Sequence, residues 1–303
     1  MTRPSSVVHV WDLPGEPRPR WTPAAGVGAV VRQVSDAVGL THMGVNLRTI
    51  ESGMAGTNRH FHTVEEEWVY VLSGRGTVRI GPHRIAVRAG SFVGLPPGPR
   101  PHHFLAEGDE PLVLLEGGER RPVEDYGCYV DVPKWWHGGN FIEAPHPLPA
   151  EEGDVSQCVH IDDLPVKEFQ HDVDSQARRT MRRLNRPTGL VRQAVVVSRV
   201  DTGAHSTAFH THDRTDEWIF ILAGRATVRV GTDCFEAGPF DFIGHPAGGS
   251  AHMMEPIEPL TYLMGGEINP EDVVTYPDAG VRRVGKRLEP LTRANGNKSS
   301  NSF

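Results

Sequence analysis

The sequence predicts an all-β protein built from two similar barrels in tandem, and three observations carry this prediction. The segment HFHTVEEEWVYVLSGRGTVRIG, from His60, recurs as HTHDRTDEWIFILAGRATVRVG, from His210, with 11 of 22 positions identical. Short runs rich in β-branched and aromatic residues are separated by glycine turns, as where Gly74 follows WVYVLS. Within the repeats no stretch of a dozen residues has strong helical periodicity. Evenly spaced short strands of this kind close into a sandwich or barrel.

The repeat covers whole domains rather than a single motif. Its offset of 150 residues continues without a gap through PPGPRPH, from Pro96, and PAGGSAH, from Pro246. The segments that enter the two halves also match, since VVHVWDLPG, from Val7, resembles CVHIDDLPV, from Cys158. We therefore expect two full domains of similar architecture.

The domain limits follow from the ends of these matches. A proline-rich stretch, EAPHPLPAEEGD, separates the halves, and the last residues, RANGNKSSNSF, are polar and lack apolar periodicity. The expected organisation is an N-terminal domain over 7–142, a linker over 143–157, a C-terminal domain over 158–290 and a disordered tail over 291–303.

The composition is that of a water-soluble globular chain. Of its 303 residues, 38% are hydrophobic and 23% charged, and the formal net charge of -7 provides no basic face for nucleic acid. The apolar runs are too short to span a bilayer, and the N-terminus lacks the pattern of a secretory signal. Three scattered cysteines favour a reducing cytoplasm over a disulfide framework. We therefore expect neither a nucleic-acid nor a membrane partner.

Each half carries three histidines and one glutamate at the same spacing. His60 and His62 are two residues apart, so on a strand both imidazoles lie on one face. Glu67 follows a predicted turn, and His102 lies about one hairpin further on. The second half repeats the set at His210, His212, Glu217 and His252. Three imidazoles and a carboxylate, without thiolates, predict a divalent transition-metal site in each half rather than a structural zinc site held by cysteines.

His103 is an alternative to His102 as the fourth ligand of the first set. The repeat decides between them, because Met253 stands opposite His103 whereas His252 stands opposite His102. The predicted ligands are therefore those residues that both halves retain.

The spacing of these residues resembles the two motifs of the cupin family. The first motif is a glycine, His-x-His, a glutamate and a glycine, matched by Gly53, His60, His62, Glu67 and Gly74 and by Gly203, His210, His212, Glu217 and Gly224. The second is a glycine, Pro-x-Gly and a histidine, matched by Gly90, Pro96, Gly98 and His102 and by Pro246, Gly248 and His252. The spacings differ slightly from the usual ones, the final asparagine is missing, and Phe240 stands opposite Gly90. None of these departures affects a ligand.

The resemblance implies two tandem cupin barrels of the double-stranded β-helix, or jelly-roll, type, each with a metal ion inside. Two ions per chain are expected, with Fe(II) favoured by the imidazole-rich set and manganese, nickel, zinc and copper as alternatives. Glu67 and Glu217 are expected to serve in catalysis as well as in metal binding.

Three hypotheses about function remain open. The first is a metal-dependent enzyme that acts on a small anionic or enolisable substrate, with a dioxygenase favoured among the oxidoreductases. The second keeps the metal but makes the protein a Lewis-acid isomerase, decarboxylase or lyase. The third is a non-enzymatic metal-containing binding or sensor protein. The expected partner is a small molecule in every case, and a homo-oligomer is left open.

Four further features have a structural interpretation and a functional alternative. Trp68 and Trp218 are expected to pack in the core rather than stack on substrate. His245 is expected at the surface, although it lies close to the second set. The segment 134–137, KWWH, is expected to pack between the domains rather than form a lid. The five arginines of RRTMRRLNRP, from Arg178, are expected in a solvated loop or a subunit contact rather than a site for an anion.

Overall fold

The structure, a computed structural model, describes residues 3–18, 26–132, 134–144 and 152–291. Part of the predicted linker, 145–151, and all but Leu291 of the predicted tail lie outside the described residues. The described parts form one α-helix, α1 (Val34–Ala37), and short 3-10 turns at Val10–Asp12, Val155–Gln157, Ile161–Asp163 and Arg186–Thr188. None of these helices is long and apolar enough to span a membrane.

The strands of the described residues are numbered β1 to β28 in chain order. Those that precede residue 152 are β1 (Val7–His9), β2 (Glu16–Arg18), β3 (Ala29–Gln33), β4 (Met43–Ile50), β5 (His60–His62), β6 (Glu67–Ser73), β7 (Arg75–Ile80), β8 (His83–Arg88), β9 (Ser91–Leu95), β10 (His102–Glu107), β11 (Leu112–Glu119), β12 (Gly127–Tyr129), β13 (Lys134–His137) and β14 (Asn140–Glu143). Those that follow are β15 (Cys158–His160), β16 (Lys167–Gln170), β17 (Arg178–Arg183), β18 (Gln193–Val200), β19 (Thr211–His212), β20 (Glu217–Ala223), β21 (Ala226–Val230), β22 (Asp233–Ala237), β23 (Asp241–His245), β24 (His252–Pro256), β25 (Leu260–Glu267), β26 (Val273–Tyr276), β27 (Val281–Val284) and β28 (Arg287–Pro290).

Two antiparallel sheets form the first barrel. One has the order β15-β9-β6-β11-β4-β3-β2, and the other has the order β14-β13-β12-β5-β10-β7-β8. A cluster of apolar side chains, including Val78, Ile80 and Phe104, fills the space between them. The alternation of inward apolar and outward polar residues along these strands follows from the two-residue period of a β-strand.

The second barrel repeats this arrangement strand for strand. Its first sheet has the order β1-β23-β20-β25-β18-β17-β16. Its second face consists of β22-β21-β24 and β19-β26-β27-β28, joined by a bridge between His210 and His252. The prediction of an all-β chain with two tandem jelly-roll barrels is therefore confirmed.

The two barrels exchange their entering strands. Strand β1 pairs with β23 of the second barrel, where Val8 lies opposite Phe242. Strand β15 pairs with β9 of the first barrel, where Val159 lies opposite Phe92. Because each barrel borrows an edge strand from the other half of the sequence, neither sheet is complete without both halves. The domain limits 7–142 and 158–290 stay a prediction, because each of these ranges includes a strand that pairs with the barrel of the other half.

A buried apolar core lies between the barrels. Trp68 and Trp218 are both fully buried there, and their rings stack with centroids 4.9 Å apart and planes at 18°. The two rings lie directly against Gly117 and Gly265 of the neighbouring strands. The tryptophans therefore pack in the core as the sequence predicts and join the two domains, and Trp68 also lines the cavity of the first barrel.

Phe240 occupies an unusual backbone conformation at the turn before β23. Its φ is +65°, whereas Gly90, at the same place in the first repeat, has φ +88°. A non-glycine residue is strained in this left-handed region. The Phe240 carbonyl accepts a hydrogen bond from Val10 N–H, and its ring lies against Trp11. Phe240, which replaces the glycine of the first repeat, therefore contacts the N-terminal segment that pairs with the second barrel.

Candidate metal centres

The first predicted set converges at one end of the first barrel. His60 and His62 lie on β5 and His102 begins β10 in one sheet, whereas Glu67 begins β6 in the other, so both sheets of the barrel supply ligands. Glu67 Oε2 lies 3.4 Å from His62 Nε2 and 3.2 Å from His102 Nε2. Ligand atoms of His60, His62 and Glu67 all lie within 4.8 Å of one another. The His60 and His102 rings have centroids 4.6 Å apart.

The second predicted set forms the same cluster in the second barrel. Glu217 Oε2 lies 3.3 Å from His210 Nε2, 3.5 Å from His212 Nε2 and 3.1 Å from His252 Nε2. Ligands about 2.0–2.2 Å from one ion lie about 3.0–3.6 Å from each other, so these separations fit a shared ion. The structure thus brings together every residue that the sequence assigns to a centre.

On all but one of these imidazoles, the ring nitrogen on the side away from the cluster has a partner of its own. The exception among the described residues is His252, whose Nδ1 is buried without a hydrogen bond. His62 Nδ1 lies 2.5 Å from Asp125 Oδ2, and His212 Nδ1 lies 2.5 Å from Asp272 Oδ2. The Nδ1 atoms of His60 and His210 lie 3.1 and 2.8 Å from backbone carbonyls. When Nδ1 carries the proton and donates it in this way, Nε2 keeps a free lone pair and can bind a metal ion. The donor set therefore fits a divalent transition metal.

The ionisable groups of the first cluster differ in their protonation. Burial, reinforced by His102, lowers the pKa of His60 to about 3, so this imidazole stays neutral at neutral pH. Burial opposes ionisation of Glu67, but the surrounding histidines outweigh it and hold the Glu67 pKa well below its usual range. Burial acts to lower the pKa of His62, but Glu67 and Asp125 outweigh it and raise that pKa to about 9. Without a metal ion, therefore, a proton on His62 balances the buried carboxylate.

A tyrosine covers one imidazole in each centre. The Tyr129 ring stacks on His60 with centroids 5.4 Å apart, and the Tyr276 ring stacks on His210 at 6.0 Å. Burial, with Glu67 nearby, raises the pKa of Tyr129 to about 12, so its phenol remains protonated. These rings restrict the imidazole planes and add a hydroxyl group to each cavity.

Each cluster opens into a cavity of a size suited to a small molecule. The first cavity has a volume of about 280 Å³ and the second about 310 Å³. The strands that hold the ligands also form the cavity walls, so a molecule in either cavity would lie against the cluster.

Comparisons with known proteins agree with this geometry. A family model described as "Cupin domain" matches residues 46–117 and again 196–264. The structure of Lactobacillus farciminis oxalate decarboxylase with formate is 16% identical, with a TM-score of 0.57 over 90% of this chain and 89% of that one. Bacillus subtilis oxalate decarboxylase at pH 4.6 is also 16% identical, with a TM-score of 0.57 over 88% of this chain and 76% of that one. This chain is a two-domain cupin. The search of curated proteins gave no match.

The two centres of this cupin are not equivalent. His245, which the sequence suggested would lie at the surface, is buried on β23. Its ring stacks on His252 with centroids 3.3 Å apart and planes at 6°. Leu95 occupies the same position in the first barrel, where it pairs with Glu67 as His245 pairs with Glu217. The surface prediction is wrong because His245 lies opposite Glu217 on the neighbouring strand and packs against the His252 ring, a contact between residues distant in the sequence.

The exposure of the two carboxylates differs as well. The Glu67 side chain is 29% exposed, whereas that of Glu217 is 10% exposed. Glu65, whose counterpart is Thr215, lies near the first centre with Oε2 3.8 Å from His62 Nδ1. The carboxylate of the first centre is therefore more exposed than that of the second, and a carboxyl group without a counterpart lies near its His62.

The aspartates and tyrosines around the ligands were missed by the sequence comparison. Asp125 and Asp272 precede strands β12 and β26, and Tyr129 and Tyr276 end those strands. The sequences EDYGCY and EDVVTY carry both pairs at an offset of 147. Extending the repeat past its last recognised segment would therefore have found them.

Two other sequence expectations are corrected in this cupin. The segment Lys134–His137 forms β13, which pairs with β12 and β14 in the sheet of the first barrel rather than packing between the domains. The arginine-rich segment forms β17 instead of a solvated loop, and its Arg179 and Arg183 line the second cavity.

Proposed function

We propose that this bicupin is a metal-dependent enzyme that cleaves a carbon–carbon bond in a small organic acid or enolisable substrate. The observation that carries the proposal is the duplication of a complete cluster of three imidazoles and one carboxylate, each opening into a cavity of about 300 Å³. A bound divalent ion would supply Lewis acidity and, with a redox-active metal, electron transfer to oxygen. We propose His60, His62, Glu67 and His102, and His210, His212, Glu217 and His252, as its ligands.

The chain's own residues would prepare the site for this chemistry. Asp125 and Asp272 hold their histidines with Nε2 directed at the cluster, which reduces the reorganisation needed on binding. The carboxylates Glu67 and Glu217 are kept ionised by the surrounding imidazoles, so each cluster offers a metal ion one anionic ligand. The low exposure of the Glu217 side chain, 10%, strengthens the electrostatic interactions of the second cluster.

Two versions of the reaction differ in their need for oxygen. A dioxygenase would insert both atoms of O2 into the substrate, and the imidazole-rich ligands favour the metals that such chemistry uses. A decarboxylase would replace a carboxylate by a proton and release CO2, with no net oxidation. The likeness in fold to two oxalate decarboxylases supports the second version.

The deciding experiment compares turnover with and without oxygen. The apoprotein is reconstituted with Fe(II), Mn(II) or Zn(II) and incubated with a panel of small mono- and dicarboxylic acids, and products are identified by mass spectrometry. Incorporation of label from 18O2 supports the dioxygenase, and release of CO2 without oxygen supports the decarboxylase. Full binding of two metals with no turnover of any acid in the panel would favour the non-enzymatic binding protein.

A further inference from the structure

Arg179 is an unpaired cation beside the second centre. It lies on β17 with its side chain on the same face as Met181 and Arg183, and all three line the second cavity. Arg179 Nη1 donates to the Ser206 carbonyl, and its guanidinium lies over the Phe169 ring at 4.4 Å. These partners are neutral, and so is the buried Tyr262 phenol, which also hydrogen-bonds the Arg179 side chain.

The Nε–H of Arg179 has no partner. Nε is buried and makes no hydrogen bond, and within the described residues no carboxylate forms an ion pair with this guanidinium. A buried donor without a partner costs about 1–3 kcal/mol, and more when it is charged. A guanidinium with a free N–H and no counter-ion is suited to bind an anionic ligand.

In the first barrel, the arginine that lines the cavity is paired with a carboxylate. Arg48 points into the first cavity, where Glu116 binds it through two contacts of 2.7 and 2.8 Å. In the second repeat these positions are Ser198 and Met264, while Arg179 stands where the first repeat has Ala29. The first cavity therefore contains a neutralised arginine, and the second contains one without a counter-ion.

The carboxylates that line the second cavity have other partners. Both oxygens of Asp216 accept backbone N–H groups, from Thr41, His42 and Ala247. Glu267 contacts the His42 ring at 2.8 Å, and Glu217 belongs to the metal cluster. None of them is available to neutralise Arg179.

The remaining wall of this cavity is largely apolar. Side chains from five strands contribute, and the thioethers of methionine adapt readily to flat or irregular groups. The apolar residues that line the cavity are Phe169, Met181, Ala194, Val196, Met264 and Val274. A carboxylate on Arg179 would place the rest of its molecule against this wall and near the cluster.

We propose that the second cavity binds a small carboxylic acid with an aromatic or apolar body, and that Arg179 binds its carboxylate. This inference rests on the proposed function in one respect, since it takes the second cluster to hold a metal ion. The volume of about 310 Å³ limits the ligand to the size of a single substituted ring. The first cavity, with its paired arginine, does not bind such acids.

The experiment uses the full chain loaded with Mn(II) and benzoate as the probe. Mn(II) shortens the proton relaxation times of a molecule bound near it, so benzoate is observed directly by NMR. We expect enhanced relaxation in the wild type and in the His60→Ala/His62→Ala variant, which keeps only the second cluster. The enhancement is lost in the His210→Ala/His212→Ala variant. Benzoate retained near the metal in this last variant would overturn the assignment to the second barrel.

Substitutions on one strand then test the role of Arg179. Arg179→Gln should weaken benzoate binding about tenfold or more, because a charge-assisted bond is lost. Arg178→Gln, on the opposite face of β17, removes the same charge and should leave affinity unchanged. Equal affinity in Arg179→Gln and wild type would overturn the proposal. Metal content and melting temperature are measured for each variant.

A series of ligands tested on the wild-type chain checks the proposed ligand class without depending on the folding of a variant. Benzamide, which has the same shape without the charge, and acetate, which has the charge without the ring, should both bind more weakly than benzoate. Binding of benzamide or acetate as tight as that of benzoate would overturn the proposed ligand class. Benzoate binding is measured without turnover, so the two proposals can fail separately. A chain that binds benzoate but has no activity contradicts only the proposed function. A metal-loaded chain that does not bind benzoate contradicts only this inference.

Discussion

His62 and Asp125 are joined by a 2.5 Å contact between Nδ1 and Oδ2, although 63 residues separate them in the chain. The other Asp125 oxygen accepts hydrogen bonds from the backbone N–H groups of Val64 and Glu65. The same carboxylate therefore orients an imidazole and holds the turn between β5 and β6. Asp272 makes the corresponding contact with His212 and also accepts from Arg214 N–H.

Asp125→Asn should weaken metal binding at the first centre by about 10- to 100-fold, because a neutral amide holds the Nδ1–H less firmly and makes Nε2 a poorer ligand. The measurement is a competition titration with a chromophoric chelator. Asp272→Asn is the matched control, since it should affect the second centre and leave the first unchanged. Equal weakening of metal binding at both centres by either variant would contradict the role assigned to these aspartates.

The ligands could be predicted from sequence because their positions are set by short-range rules. A His-x-His pair on a strand shares one face, and duplication in a repeat distinguished His102 from His103. The strand exchange could not be predicted, because a three-residue strand such as Val7–His9 fits the edge of either barrel by pattern alone. The burial of His245 could not be predicted either, since it depends on the packing of its ring against His252 of another strand.

The carboxylates Glu67 and Glu217 should differ in their effect on turnover. The two cavities differ in their charged and apolar linings, so one substrate should favour one of them. For an aromatic acid we expect Glu217→Gln to reduce kcat more than Glu67→Gln. Steady-state kinetics of both variants, with metal content measured alongside, gives the comparison. Equal losses in two folded, metal-loaded variants would contradict the proposed difference between the barrels.

Gly265→Ala should destabilise the interface between the barrels. A Cβ at this position would lie 2.4 Å from the Trp218 ring and 2.8 Å from the Ala194 carbonyl, so the tryptophan stack must shift. Overpacking of this kind costs about 1–3 kcal/mol in the free energy of unfolding. Gly238→Ala is the control, because the nearest atom to its Cβ would be a flexible arginine carbon at 3.5 Å. Urea unfolding should separate the two variants, and similar midpoints would contradict the packing described here.

Asp216→Asn should also reduce stability, through the polar part of the same interface. Asp216 is fully buried and accepts N–H groups from the first barrel as well as from its own. An amide group cannot accept all of them, and an unpaired buried donor costs about 1–3 kcal/mol. Asp213→Asn, an exposed change three residues earlier, should have little effect. Calorimetry of both variants checks the difference, and equal melting temperatures would count against it.

The central claim is that each barrel holds one divalent transition-metal ion, and metal content per chain tests it most directly. The wild type, saturated with Zn(II) or Fe(II) and passed through a desalting column, should contain about two ions per chain by elemental analysis. His60→Ala/His62→Ala should halve that value, and the further changes His210→Ala/His212→Ala should remove the rest. Two ions retained by the first double variant, with the fold intact, would contradict the assignment of the first centre, and two ions retained by the quadruple variant would contradict both.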